Sequence, residues 1–173
     1  SDLNWEMLIP IISIYKKFTV VVREQKNIGA DRFFHECRQY NNKVVLISKK
    51  GSKKEMINNL KAGHVLGLAS DQNAHHRGTQ TLFFNKKASF PKGAGHFHYL
   101  TNSKLIVGFC TLNNNYNYKL KLREIIINKK YEQKDDLIVQ INKIYAEILE
   151  NEIKKFPEQY FWFHKKWDKK IYK

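Results

Sequence analysis

Three short apolar runs, separated by helical patterns, constrain the fold of this chain more than any other feature. Phe18–Arg23 reads Phe-Thr-Val-Val-Val-Arg, Val44–Ile47 reads Val-Val-Leu-Ile, and His64–Ser70 is the third run. Branching at Cβ narrows χ1 and suits a pleated, buried strand. Between the runs lie helical segments. Asp31–Tyr40 has a helical pattern, and Ser52-Lys53-Lys54-Glu55 is a capping box opening a helix that stops at Gly63. Strands that alternate with helices predict an α/β fold, with a largely parallel or mixed central sheet flanked by helices. In such sheets ligands bind beyond the carboxyl ends of the strands.

The remaining elements fit this scheme. Met7–Tyr15 reads as a short buried helix bent near Pro10, and Pro91–Asn102 as a helix with Pro91 early, where its missing N–H is harmless. Leu105–Cys110 is a further apolar strand. Tyr118–Ile127 alternates apolar and charged residues, as a half-exposed edge strand does. Leu137, Ile141, Ile144, Ile148 and Leu149 form a helical stripe ending near Lys155. No repeat or flexible linker interrupts the 173 residues, so one domain spanning 1–173 is expected. The longest apolar run, Met7–Tyr15, falls well short of the roughly 20 residues that span a bilayer.

The formal net charge of +15 implies an acidic partner: nucleic acid, an anionic membrane surface or an acidic protein. No nucleic-acid-binding motif accompanies it. Two cysteines, Cys37 and Cys110, make no disulfide framework, and a reduced setting is the default. His75-His76, His96-x-His98 and Cys110 match no compact metal-ligand spacing, so no metal is expected.

Four blocks carry candidate chemistry. The first is Ser1-Asp2-Leu3-Asn4-Trp5-Glu6. The second is Arg23 at a strand end, with Lys26-Asn27 after it. The third is Asp71-Gln72-Asn73, then Arg77-Gly78-Thr79 and Phe83-Phe84. The fourth is Pro157-Glu-Gln-Tyr-Phe-Trp-Phe-His-Lys-Lys-Trp167. Each has a plain structural reading too. Glu6 alone reads as a solvated or capping carboxylate and Arg23 as a surface ion pair. The Asp71 block reads as a polar turn in which Gly78 supplies unusual backbone angles. The last block reads as a C-terminal helix with its rings in the core.

Taken in order, the four blocks resemble the bacterial lipid A biosynthesis (late) acyltransferases, across nearly the whole chain. The resemblance implies an acyltransferase-like α/β sandwich. It implies transfer of a fatty acyl group from acyl carrier protein, or acyl-CoA, to a hydroxyl of a lipid A precursor, with no cofactor. The expected location is the cytoplasmic face of the bacterial inner membrane. Expected partners are acyl carrier protein, an anionic glycolipid and the membrane surface, not nucleic acid. In the family's H-x-x-x-x-D/E block a histidine takes the proton of the acceptor hydroxyl and a carboxylate orients the imidazole. Asn4-Trp5-Glu6 matches the end of that block, which makes Glu6 the catalytic carboxylate.

Ser1 stands in the histidine slot, Leu3 replaces the usual glycine, and Glu24 replaces the proline that usually follows the strand-end arginine. Serine is no base near neutral pH. Either the chain lacks its N-terminal helical, membrane-anchoring segment, which is the reading adopted, or it is a divergent relative without that base. By the same resemblance Asn4, Arg23, Asn27, Asp71, Gln72, Arg77 and Gly78 are substrate-binding residues, and His164 is an orienting or anion-facing residue. The alternatives are a catalytically inactive lipid-binding module and an acyltransferase for another glycolipid or aminolipid. The tail lysines Lys154, Lys155, Lys165, Lys166, Lys169, Lys170 and Lys173 are expected to face anionic head groups, and the tail rings to supply interfacial contact.

Overall fold

The computed structural model describes residues 5–22, 26–39, 41–48 and 53–172. The chain forms two compact units, one spanning Trp5–Leu68 and the other running from Ala69 onward. Both belong to the α/β class read from the sequence.

In the first unit a 3-10 turn, Trp5–Met7, leads into α1 (Leu8–Tyr15). Then follow β1 (Phe18–Val22), α2 (Ile28–Arg38), β2 (Val44–Ser48), α3 (Lys53–Lys61) and β3 (Val65–Gly67). The three strands form a parallel sheet in the order β2-β1-β3, with Phe18 level with Val44 and Val65. The central position of β1 explains its composition. Phe18, Val20 and Val22 are buried with Ile9 and Val44, and Thr19 on the same strand has no exposed surface. The Thr19 hydroxyl is satisfied by the His64 Nδ1 at 3.1 Å and by the Asn59 amide at 3.3 Å. Desolvation, helped by the nearby Lys17 charge, lowers the His64 pKa below its ordinary value.

Several local readings are adjusted here. Pro10 is the third residue of α1, inside the first turn, where a missing N–H breaks no helical hydrogen bond. α2 starts at Ile28, earlier than the expected Asp31, because the Asn27 side chain caps it and accepts the Ala30 N–H at 2.9 Å. Gly63 has φ of +84°, as the helix stop at that position requires. Ser52, the first residue of the capping box, lies outside the described residues.

The second unit contains the β4 (Thr79–Phe83) and β5 (Lys86–Phe90) hairpin and α4 (Gly93–Thr101). It continues with the antiparallel pair β6 (Leu105–Leu112) and β7 (Tyr118–Ile125), then α5 (Lys134–Ile153). The stripe on α5 does what its spacing predicts. Leu137, Ile141, Ile148 and Leu149 are buried against Phe83, Phe90, Val107 and Phe109. α4 approaches closely enough that a Cβ on Gly95 would lie 2.9 Å from the Ile138 side chain. Asn142, a polar residue on the buried face of α5, donates to the Thr79 hydroxyl and to the Pro91 carbonyl.

Two features of this unit were not anticipated. The β4–β5 hairpin turns through Phe84 and Asn85, at φ of 49° and 57°. Two successive positive φ angles mark the tight hairpin turn whose sense matches strand twist. The tail is not the expected C-terminal helix. α5 ends at Ile153, a 3-10 turn occupies Pro157–Gln159, and Trp167 makes an isolated antiparallel bridge to Ala88.

Candidate functional site

The family-type blocks occupy two local settings, one in each unit. In the first, the Glu6 carboxylate is gripped by Arg38, whose Nη2 and Nε donate to its two oxygens at 2.5 and 3.1 Å. The forked guanidinium matches the carboxylate plane, so this pair fixes orientation as well as position. Arg38 also lies 5.2 Å from the Phe34 ring centroid, one helical turn earlier on α2. Its side chain is 12% exposed and that of Glu6 is 42% exposed, leaving one side of the carboxylate open. Nothing in the sequence reading singled out Arg38. Its signal was the i, i+4 pairing of Phe34 and Arg38 on one helix face. Ser1, Asn4 and Arg23 lie outside the described residues. Asn27, read as substrate-binding, is placed as the cap of α2.

The second setting joins the Asp71 block to the C-terminal block. Asp71 is 3% exposed, whereas Gln72 and Arg77 are exposed. The turn between them is stapled along its length. The Asn73 side chain accepts the His75 N–H at 2.8 Å and donates to the Lys165 carbonyl at 3.2 Å. Ser89 on β5 donates its hydroxyl to the His75 carbonyl at 2.6 Å. His75 sits at φ of 51°, a left-handed angle that the surrounding bonds must hold. Arg77 ends the 3-10 turn His75–Arg77 and makes no ion pair with any described residue.

Gly78 is not where unusual angles arise. Its φ of −94° and ψ of −175° suit any residue. It is needed for space, since a Cβ there would collide with Ser89, with the Phe90 carbonyl and with Ala74.

The centre of this setting is Lys166, which is 1% exposed. It therefore does not belong with the head-group-facing lysines expected in the tail. Its ammonium sits 3.4 Å from the Phe90 ring centroid and donates to the carbonyls of Gln72 and Ser89, both at 3.3 Å. A ring face and two carbonyl oxygens replace part of the lost hydration. Desolvation still wins: it lowers the Lys166 pKa to about 7, against the attraction of Asp71, which raises it. Tyr145 on α5, raised well above its ordinary value chiefly by burial, is pushed further by Asp71 and by Tyr160.

Much of the C-terminal block is scaffold. The Gln159 amide makes two hydrogen bonds to Leu112, accepting its N–H at 2.8 Å and donating to its carbonyl at 2.9 Å. Tyr160 is buried, and the Trp162 indole donates to the Pro157 carbonyl at 2.7 Å. The Trp167 indole donates to the Phe83 carbonyl at 3.0 Å. His164 packs edge-on against Phe161 at 5.6 Å. Phe161, Trp162 and Phe163 are 46%, 45% and 88% exposed, so the same block also presents rings to solvent.

Among the described residues no three His, Cys, Asp or Glu side chains gather as a metal site. No described helix is long and apolar enough to cross a membrane. Cys110 is fully buried, which raises its thiol pKa.

No curated protein matches the chain. A family model does: that of the bacterial lipid A biosynthesis acyltransferases, over residues 2–169. That span takes in the first block from Asp2 onward and the other three whole, including the Glu6 carboxylate and the Asp71–Lys166 centre. The chain belongs to the bacterial lipid A biosynthesis acyltransferase family.

Proposed function

We propose that this acyltransferase moves a fatty acyl group from an acyl carrier protein thioester to a hydroxyl of a lipid A precursor, working at the cytoplasmic face of the inner membrane. The observation that carries the reading is the order of the blocks, Asn4-Trp5-Glu6, Arg23, Asp71-Gln72 with Arg77-Gly78, and Pro157–Trp167, within a single family match over residues 2–169. A base accepts the acceptor hydroxyl proton while the oxygen attacks the thioester carbonyl. The tetrahedral intermediate collapses, the carrier thiolate leaves, and it recovers the proton. Glu6, held by Arg38, is the carboxylate that orients the base. The base belongs at the slot of Ser1. Arg77, exposed beside the stapled Asp71 turn, and Arg23 are cations for an acidic head group.

The net charge of +15 suits both an acidic carrier protein and an anionic lipid surface. Phe161, Trp162 and Phe163 are exposed, as are Lys165 and Lys170. Aromatic rings settle at the head-group boundary, and each nearby lysine adds about 1 kcal/mol on anionic lipid. Binding to anionic vesicles should therefore fall steeply with salt. Equal sedimentation with zwitterionic vesicles would refute the electrostatic account.

The deciding assay follows transfer of labelled acyl groups from acyl carrier protein to a phosphorylated disaccharide lipid. It compares the chain as it stands with Ser1→His and with Ser1→His/Glu6→Gln. Restoring a general base should raise the rate by a factor of about 100 to 10,000, and removing the carboxylate should cancel the gain. Robust turnover with Ser1 in place would overturn the assignment of that slot. Tight lipid binding with no transfer in any of the three would favour a lipid-binding module. Transfer only to another glycolipid or aminolipid would move the acceptor.

A further inference from the structure

We propose that Lys166 is a positioning residue for the Asp71–Gly78 turn: its buried ammonium ties the C-terminal segment to the turn and so sets where Arg77 is presented. The inference rests on the reading above only in taking Arg77 to meet an acidic head group. The geometry of Lys166 is independent of it.

Three observations converge on this role. First, the ammonium has no exposed surface to speak of and bridges two backbone carbonyls, one on the turn at Gln72 and one on β5 at Ser89. Second, its neighbours on the chain are bonded to the same turn. Asn73 donates to the carbonyls of both Lys165 and Trp167, at 3.2 and 3.5 Å. Third, the aromatic seat is built from the hairpin that follows the turn. Lys166 lies 3.4 Å from the Phe90 centroid and 5.9 Å from that of Phe83, and the Trp167 indole closes onto the Phe83 carbonyl. A solvated lysine would need none of this. A lysine spent on stability alone is a poor choice, because burying a cation costs more than burying an apolar chain of equal size.

The arrangement is therefore sensitive to protonation. The groups that face the ammonium are Asp71 on the turn, the Phe83 and Phe90 rings of β4 and β5, and the Gln72 and Ser89 carbonyls. Tyr145 on α5 interacts with Asp71 and with Tyr160. Because the Lys166 pKa lies at about 7, below its ordinary 10.5, loss of its proton near neutrality relieves the cost of a buried charge by more than it forfeits in attraction to Asp71, so the closed turn is favoured as pH rises.

The test uses the full chain, Lys166→Met, Arg77→Ala and the double variant. Amide hydrogen exchange is read at Gln72–Gly78. Binding is read on phosphatidylcholine vesicles with and without a phosphorylated disaccharide lipid, from about pH 6 to about pH 9. Lys166→Met should speed exchange across the turn. It should also weaken binding to the phosphorylated vesicles about tenfold and abolish the step in binding near pH 7. Arg77→Ala should weaken binding without loosening the turn, and the double variant should lose little more than either single one. A folded Lys166→Met chain with unchanged exchange at Gln72–Gly78 would overturn the proposal, as would additive losses in the double variant. Absence of phosphorylated-lipid binding by the unaltered chain would sink the head-group role of Arg77 while leaving exchange to decide Lys166. Should Lys166→Met fail to fold, the unaltered chain decides it. Its exchange at the turn, corrected for the intrinsic rate, should slow as pH rises above about 7, because an opened turn frees Lys166 to hold a proton that the closed turn does not. A flat profile there would also overturn the proposal.

Discussion

A methyl group added at Gly78 tests the packing of the turn directly. In Gly78→Ala the new Cβ would lie 2.5 Å from the Phe90 carbonyl oxygen and 2.7 Å from the Ala74 Cβ, and would also press on the Ser89 hydroxyl. These distances fall about 1 Å short of an ordinary contact of roughly 3.5 Å. The Ser89 hydroxyl is the most movable of the three, but it donates to the His75 carbonyl at 2.6 Å. The other two are backbone and a Cβ, which no rotamer change can move. The turn must therefore retreat from β5. Overpacking of this kind costs about 1–3 kcal/mol, and losing the serine hydrogen bond adds about 1 kcal/mol. The sum, about 2–4 kcal/mol, corresponds to a fall in Tm of about 5–15 °C for a chain of this size. Urea denaturation and a thermal melt measure it. Two controls separate space from backbone angle. Gly63→Ala has nothing within 4 Å but a φ of +84°, so it should cost about 1 kcal/mol by conformation alone. Gly29→Ala, in the first turn of α2, meets only the Asn27 Oδ1 at 3.3 Å and should be neutral or slightly stabilising. A Gly78→Ala chain as stable as the unaltered one would refute the argument from close approach.

Two further outcomes follow from the tail. Gln159→Leu removes both partners of the Leu112 peptide, at 2.8 and 2.9 Å, and should cost about 1–3 kcal/mol by chemical denaturation; no change would mean that solvent replaces both bonds without loss. The pH dependence of stability should also carry the signature of Lys166. Its folded pKa of about 7 lies below the ordinary 10.5, so the unfolded chain binds more protons in that interval and stability rises with pH above about 7. Cys110 and Tyr145, both raised by burial, lose their contributions above their ordinary values of 9.0 and 10.0, so the rise is cleanest between about 7 and 9. The rise should disappear in Lys166→Met, and its persistence would assign it to another group.

Local patterns carried the first unit and the long helix. The β-branched run at Phe18–Val22 demands two covered faces, and it occupies the centre of the parallel sheet. The stripe on α5 buries the residues its period marks, because helical spacing is local geometry that no distant contact is needed to set. The order of the four blocks was likewise sufficient to identify the family. The β4–β5 hairpin was not legible, since its turn uses Phe84 and Asn85 where a glycine would be the usual signal. Phe84 tolerates its left-handed angle in a setting built by remote residues. Glu150 on α5 accepts its N–H, and Trp162 and Trp167 pack against its ring.

The site shows the same division. Sequence placed Glu6, Asp71, Arg77 and the tail lysines in candidate blocks, since residue type and spacing are properties of the chain itself. Which carboxylate meets Arg38, and which lysine turns inward, depend on contacts across 32 and 94 positions. Lys165 and Lys166 are adjacent and chemically identical, yet one is exposed and the other lies on the Phe90 ring. No local rule separates them. The difference comes from the hairpin and the Asp71 turn, which together offer one buried seat with two carbonyl acceptors, and the register of the tail decides which lysine fills it.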